Sequence, residues 1–217
     1  MSSHTYPVIE SRLSAVRMAP YLAAAGGDQN ATLELYAWNL QISAAFFVDL
    51  STAEVVLRNA IDGALRAKYQ RKPDSPSWFD QATLNKSGSE HLASATARAE
   101  AAGHVAHDDV IAQLSFGFWR SLFTKYYQAT LWPVMRPVFL DDPKRQSASR
   151  EGIFHIVDEL GYVRNRIAHH ETLFRRDLDK QHHALLNLTG SICQETRSWV
   201  ESNSAVADLL ATKPMIR

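Results

Sequence analysis

Between Val163 and Glu171 the chain gathers two arginines, an amide, two histidines and a carboxylate: Val163-Arg164-Asn165-Arg166-Ile167-Ala168-His169-His170-Glu171. Imidazole has a solution pKa of about 6.5, so histidine both takes and gives a proton near neutrality. The arginine guanidinium stays cationic and presents a planar fork of donors suited to phosphate oxygens. An asparagine amide bonds to either partner or holds a neighbour in place. These are the groups needed to cut RNA without a metal. A base removes the proton of a ribose 2′-hydroxyl, and that oxygen attacks the adjacent phosphorus. A cation stabilises the charge on the phosphoryl oxygens, and an acid protonates the departing 5′-oxygen.

Helical geometry qualifies this chemistry. Arg164 and His169 are five positions apart, roughly 140° around a continuous helix, so they do not point at one target. Either the helix ends or distorts between them, or a second copy of the chain completes the site across a two-fold axis. Arg166 and His170, four apart, share a face. The plainer alternative is a solvated Arg-Asn-Arg face followed by a hydrogen-bonded histidine. Metal ligation is not expected, because adjacent His169 and His170 diverge by about 100° on a helix. The histidine pair at i, i+4 with an intervening Glu, the metalloprotease pattern, is absent. His182-His183 reads as another adjacent pair, on an exposed helix and without a carboxylate cluster.

The elements that position the motif read as helices throughout. An Ala- and Leu-rich helix is expected from about Ile9 to Ala25, stopped by Gly26-Gly27-Asp28. A long helical region follows from about Thr32 to Tyr69. A restart is expected at Ser51, where Ser51-Thr52-Ala53-Glu54 has a capping-box pattern. Val55, Ile61 and Leu65 then form a predicted buried stripe. Arg71 to Trp78 reads as a loop, and Ser87 to Ala102 as a polar helix ending at Gly103. Asp108 or Asp109 is expected to cap a helix carrying Leu114, Phe116, Phe118, Trp119, Leu122 and Phe123, with Gly117 allowing close approach. Pro133 and Pro137 interrupt the pattern, and Asp141-Asp142-Pro143 marks a turn. From about Gln146, the steps of three and four between Ile153, Ile156, Val157, Leu160, Val163 and Ile167 predict a packed helix. A last helix is expected from about Leu178 to Glu201. No strand-length alternation, repeat or low-complexity segment occurs, so a single all-α domain over residues 1–217 is the expectation.

Bulk properties narrow the field. The chain is 46% hydrophobic and 21% charged, which is the composition of a folded domain. Lys plus Arg and Asp plus Glu are 23 each, so the global basic excess of proteins that coat nucleic acid is missing. Locally the balance shifts, with seven Lys or Arg against four Asp or Glu from Lys144 to Arg176. Cys193 stands alone, excluding an internal disulfide and a Cys-rich zinc site; it reads as a small buried apolar residue. No signal-peptide pattern and no uninterrupted apolar run of about eighteen residues is present, which predicts a cytoplasmic protein.

Four stretches in order resemble the abortive-infection (Abi-like) family of the HEPN superfamily. They are Glu34 to Leu40 leading into Ala45-Phe46; Glu54-Val55-Val56-Leu57-Arg58-Asn59-Ala60-Ile61; Leu114 to Phe123; and Arg164 to Glu171. Together they span about residues 30–175. The motif Arg164-Asn165-x-x-x-His169 is similar to the HEPN signature of an Arg, a polar residue and a His after four to six positions. The resemblance implies a HEPN-type helical bundle, a homodimer with a composite site and metal-independent RNA cleavage without a cofactor. Its setting would be bacterial defence against phage or a toxin–antitoxin pair, with an antitoxin or regulator as a further partner. Arg164, Asn165 and His169 are the implied catalytic residues. His170 fits the longer spacing, and Arg166, Glu54, Arg58 and Asn59 stand as supporting candidates. Glu54 and Arg58, four apart, also fit a plain ion pair on a helix. A HEPN-like domain without activity, serving as a binding or regulatory module, is the alternative.

Overall fold

The computed structural model of the chain describes residues 5–70, 77–104, 106–139 and 149–215. Helices joined by short turns account for these residues, with no strand among them. The all-α expectation therefore holds.

Two helices occupy the place of the first one expected: α1 (Thr5–Leu13) and α2 (Ala15–Ala24). Ser14 separates them. Its backbone takes φ 84°, and its hydroxyl accepts from the Arg17 N–H to cap α2. Gly26 and Gly27, at φ 62° and 85°, end α2 in the left-handed region that glycine tolerates. Asp28 then accepts from the N–H groups of Asn30 and Ala31, starting α3 (Gln29–Tyr69).

Helix α3 runs for 41 residues without the restart expected at Ser51. The Ser51 hydroxyl donates to the Phe47 carbonyl at 2.7 Å, the alternative that a serine has inside a helix. Ile42, Phe46, Leu50, Leu57, Ile61 and Leu65 face the core. Val55 does not join them: it is 42% exposed, about 200° around the helix from Leu57. By length and composition α3 could cross a membrane, with an 18-residue window of mean hydropathy 1.5. Interspersed polar residues hide this window from a search for uninterrupted apolar runs. Its apolar character is divided between a core face and an outward face.

Next come α4 (Trp78–Gln81) and α5 (Lys86–Ala101), the latter closed by Gly103 at φ 76°. The single aromatic helix expected beyond it is split into α6 (His107–Gln113) and α7 (Phe116–Ser121) by extended backbone at Leu114 and Ser115. Ala106 occupies the N-cap position of α6, and Asp109 accepts from the Ala106 N–H rather than capping the helix itself. Phe116, Phe118, Trp119, Leu122 and Phe123 are buried, as expected. The close approach falls at a different glycine, however. A Cβ on Gly161 would meet the Phe116 ring at 3.2 Å, whereas one on Gly117 would make only an ordinary contact.

Pro133 lies in the first turn of α8 (Trp132–Met135), and Pro137 in the tight 3₁₀ turn Arg136–Phe139 that follows. Ser149 caps α9 (Arg150–Ala168) through the Gly152 N–H. The expected turn at Asp141-Asp142-Pro143, the helix start near Gln146 and most of the loop from Arg71 lie outside the described residues. The final long helix divides into α10 (Leu178–Ile192) and α11 (Gln194–Asn203), followed by α12 (Val206–Ala211). Cys193 makes the break with extended backbone. It is only half-buried there, and its thiol donates to Glu195.

Among the buried polar contacts that tie this bundle to α3, two reach the chain's last helices and the segment after the motif. Asp49 binds His182 Nε2 at 3.1 Å and the Ser204 hydroxyl at 2.5 Å, joining α3, α10 and the α11–α12 turn. His182 is thus buried, and only His183 of that pair is exposed as expected. Asn39 Oδ1 accepts from the Leu173 and Phe174 N–H groups at 2.7 and 3.3 Å. This clamps the chain just after the His169-His170-Glu171 segment. Asn39→Ala leaves two buried donors without their acceptor, and the expected loss is about 2–4 kcal/mol. Denaturant unfolding should show a lower midpoint at unchanged slope.

Candidate active site

Helix α9 carries the motif at its C-terminal end. Ile153, Val157, Leu160 and Val163 fix its buried face, and Gly161 draws it against α7. Arg164 is left half-buried and Asn165 exposed. Both line a cleft of about 390 Å³ together with Phe116, Arg120, Asp158 and Tyr162. Among the described residues neither side chain has a hydrogen-bond partner.

Glu54 of α3 faces Arg164. Burial raises the Glu54 carboxyl above its usual value of 4.5, an effect that the positive charges of Arg164 and Arg58 partly offset. Glu54, one of the expected supporting residues, is therefore within electrostatic reach of the motif. Arg58 donates to Asn59 at 3.4 Å, and Asn59 itself points to solvent.

His169 occupies a different place. The helix stays regular up to it, with the His169 N–H donating to the Asn165 carbonyl at 2.9 Å. No distortion swings the two ends of the motif together. The exposed His169 side chain lies at a second cleft, of about 420 Å³, with Arg17, Tyr21, Arg166 and His170. Burial, with some help from Tyr36, pushes the Tyr21 phenol up to about 12, so it is no base near neutrality. Arg164 and His169 thus open on separate clefts of one chain, in keeping with the 140° expected of a straight helix.

His170 follows at φ 55°, in the left-handed conformation usually given to glycine at a helix end. Its N–H returns to Ile167 and that of Glu171 to Arg166, closing the helix. His170 therefore leaves the helical face it was expected to share with Arg166. The Arg17 guanidinium holds the His170 carbonyl at 2.6 Å. Arg166 is fully engaged: it donates to the Thr172 carbonyl at 2.8 and 3.1 Å, to the Tyr162 hydroxyl at 2.9 Å and to Glu171 at 2.9 Å. Those contacts make it the anchor of the 169–172 turn.

Arg17, Tyr162 and the Arg120–Asp158 ion pair also line the clefts. Arg17 carries no local signal in the sequence, and Arg120 is hidden within a run of buried aromatics. Away from the motif, Asp62, His107 and Asp108 bring their ligand atoms within 4.8 Å of one another. The Arg66 guanidinium lies 3.0 Å from Asp108 and 3.8 Å from Asp62, while Trp78 and His107 both bond Asp62 Oδ1. A cation already neutralises these carboxylates, and the group reads as a brace between α3, α4 and α6.

No known protein family matches this chain, and no curated protein or solved structure matches it either.

Two substitutions probe the geometry. Glu54 binds its proton more tightly in the fold than in the unfolded chain, so its contribution to stability is present at low pH and lost as pH rises through the raised value. Glu54→Gln should therefore melt at or above wild type at pH 7, with the difference vanishing below the usual 4.5. His170→Gly should stabilise the fold by about 1 kcal/mol in denaturant titration, because glycine accepts the left-handed conformation at no steric cost.

Proposed function

We propose that the chain is a metal-independent endoribonuclease of the Abi-like, HEPN type, acting in the cytoplasm on single-stranded RNA. The observation that carries this reading is the availability of the motif. Arg164, Asn165 and His169 stand at clefts without side-chain hydrogen bonds among the described residues, Arg164 having only the nearby Glu54 charge, whereas neighbouring Arg166 is consumed by structure. A motif that merely fixed the core would have Arg164 buried and paired.

A histidine takes the proton of the 2′-hydroxyl, and the oxygen attacks phosphorus with release of the 5′-oxygen, which receives a proton from a second histidine. Arg164 neutralises the phosphoryl oxygens, and Asn165 orients the phosphate or its neighbour. The products are a 2′,3′-cyclic phosphate and a 5′-hydroxyl. Since Arg164 and His169 open on separate clefts, the competent enzyme is a homodimer in which each copy lends the other its missing half. The alternative is a HEPN-like domain without activity that serves as a binding or regulatory module. Glu54 and Arg58 set the charge around Arg164. Uncontrolled RNA cleavage halts a cell, so a phage-defence or toxin–antitoxin role, with an antitoxin as partner, accompanies this reading.

His169→Ala and Arg164→Ala are expected to lower RNA cleavage by ~10²–10⁴-fold while leaving the circular dichroism spectrum unchanged. Near-wild-type cleavage by folded His169→Ala would move the role to His170 or end the proposal. Cleavage should persist in excess chelator, spare DNA of the same sequence and leave the cyclic phosphate. Loss of activity in chelator with rescue by a divalent ion would place the enzyme in the metal-dependent class instead.

A further inference from the structure

Helix α3 leaves an apolar stripe uncovered. Leu40, Phe47, Val48 and Val55 are 47%, 51%, 61% and 42% exposed, and Ala44 and Ser51 lie exposed between them. At about 100° per residue these six positions share one side of the helix over about 22 Å. No charge falls on the six positions themselves, and among the described residues the one charge lining the groove beside Ala44 and Val48 is the exposed Asp208 of α12.

The order of the side chains points to a particular occupant. Steps along the stripe are four, three, one, three and four residues, the same from either end. A second α3 laid antiparallel, with its two-fold between Phe47 and Val48, sets Leu40 against Val55, Ala44 against Ser51 and Phe47 against Val48. Large meets large and small meets small at every level. Charge at the ends agrees: Glu34 is exposed beyond one end and Arg58 is part-exposed beyond the other. An antiparallel copy brings these opposite charges to the same end, while a parallel copy sets like beside like.

We propose that this face of α3 is the interface of an antiparallel homodimer. Its consequence for the motif follows from symmetry. On one flank of the stripe lies Glu54, whose carboxyl feels the charge of Arg164 on α9, and on the other Gln41 and Ala45 line that groove together with Ala205 and Leu209 at α12. The two-fold lies in the seam, perpendicular to α3, and keeps each flank on its own side. Both α9 helices, each with the motif at its C-terminal end, therefore come to the same side and run in opposite directions. A parallel pair would put them on opposite sides. Only this joining of half-sites rests on the ribonuclease reading; the seam does not.

The test uses the full chain at micromolar concentration. Light scattering should give twice the chain mass for wild type, and Phe47→Glu, which forces a carboxylate into the seam, should weaken association by roughly 100-fold or more. Because Phe47 is exposed in the single chain, its melting behaviour reports that the variant folds. In a Cys193→Ser background, mixing Ala44→Cys with Ser51→Cys subunits should yield an oxidised cross-link that neither variant forms alone. A wild-type monomer, a Phe47→Glu dimer of unchanged affinity, self-linking by Ala44→Cys, or binding to lipid vesicles in place of dimerisation overturns the seam. A monomeric Phe47→Glu protein that still cleaves RNA at full rate keeps the seam and overturns the shared site. A wild-type monomer that cleaves RNA overturns both the seam and the shared site, and leaves the ribonuclease chemistry to a single chain.

Discussion

Unbroken hydrogen bonding through the middle of α3 is the constraint from which the other features descend. Ser51 gives its hydroxyl to the Phe47 carbonyl, and 41 residues continue as one rod of about 60 Å. A restart at Ser51 would rotate the second half relative to the first. Ile42 and Phe46 could then no longer share a core with Leu57 and Ile61, and the outward line from Leu40 to Val55 would be cut in two. A single rod also places Asn39 and Glu54 at a fixed separation. One clamps the chain after the motif, and the other carries its carboxyl within reach of the Arg164 charge.

Around that rod the polar contacts divide into those that hold the backbone and those that remain open. Arg166, Arg17 and Asn39 spend their bonds on the segment following α9, satisfying the Thr172 and His170 carbonyls and the Leu173 and Phe174 N–H groups. Arg164, Asn165 and His169 are spared that duty. Similar residue types, one or two positions apart, thus differ in role because of what the helix end requires. The left-handed backbone at His170 belongs to the same device: it reverses the chain sharply enough for Thr172 to face Arg166.

The buried carboxylates follow a similar logic. Asp49 with His182, and Asp62 with His107 and Arg66, join sequence-distant helices to α3. Each carboxylate is surrounded by donors, which burial demands. In sequence His182 looks like one of two exposed neighbours. Its partner lies 133 residues away, and local pattern holds no trace of such a contact.

Helical class, the core face of α9, the buried aromatic run at Phe116–Phe123 and the glycine stops at Gly26-Gly27 and Gly103 were all legible in the sequence. They depend on period and on local backbone preference, which act within a few residues. The 140° between Arg164 and His169 was legible for the same reason, since a regular helix has one twist. Interruptions were less visible. Ser14 and Cys193 break helices, and Ser51 does not, because a hydroxyl or thiol can serve a cap, a back-bond or a side-chain partner. Packing decides among these. Tertiary structure alone decided that Val55 faces outward, that Arg166 is an anchor while Arg164 stays open, and that Glu54 sits beside it. Each outcome depends on which helix lies across from the residue, and that is set by the whole core rather than by its neighbours in the chain.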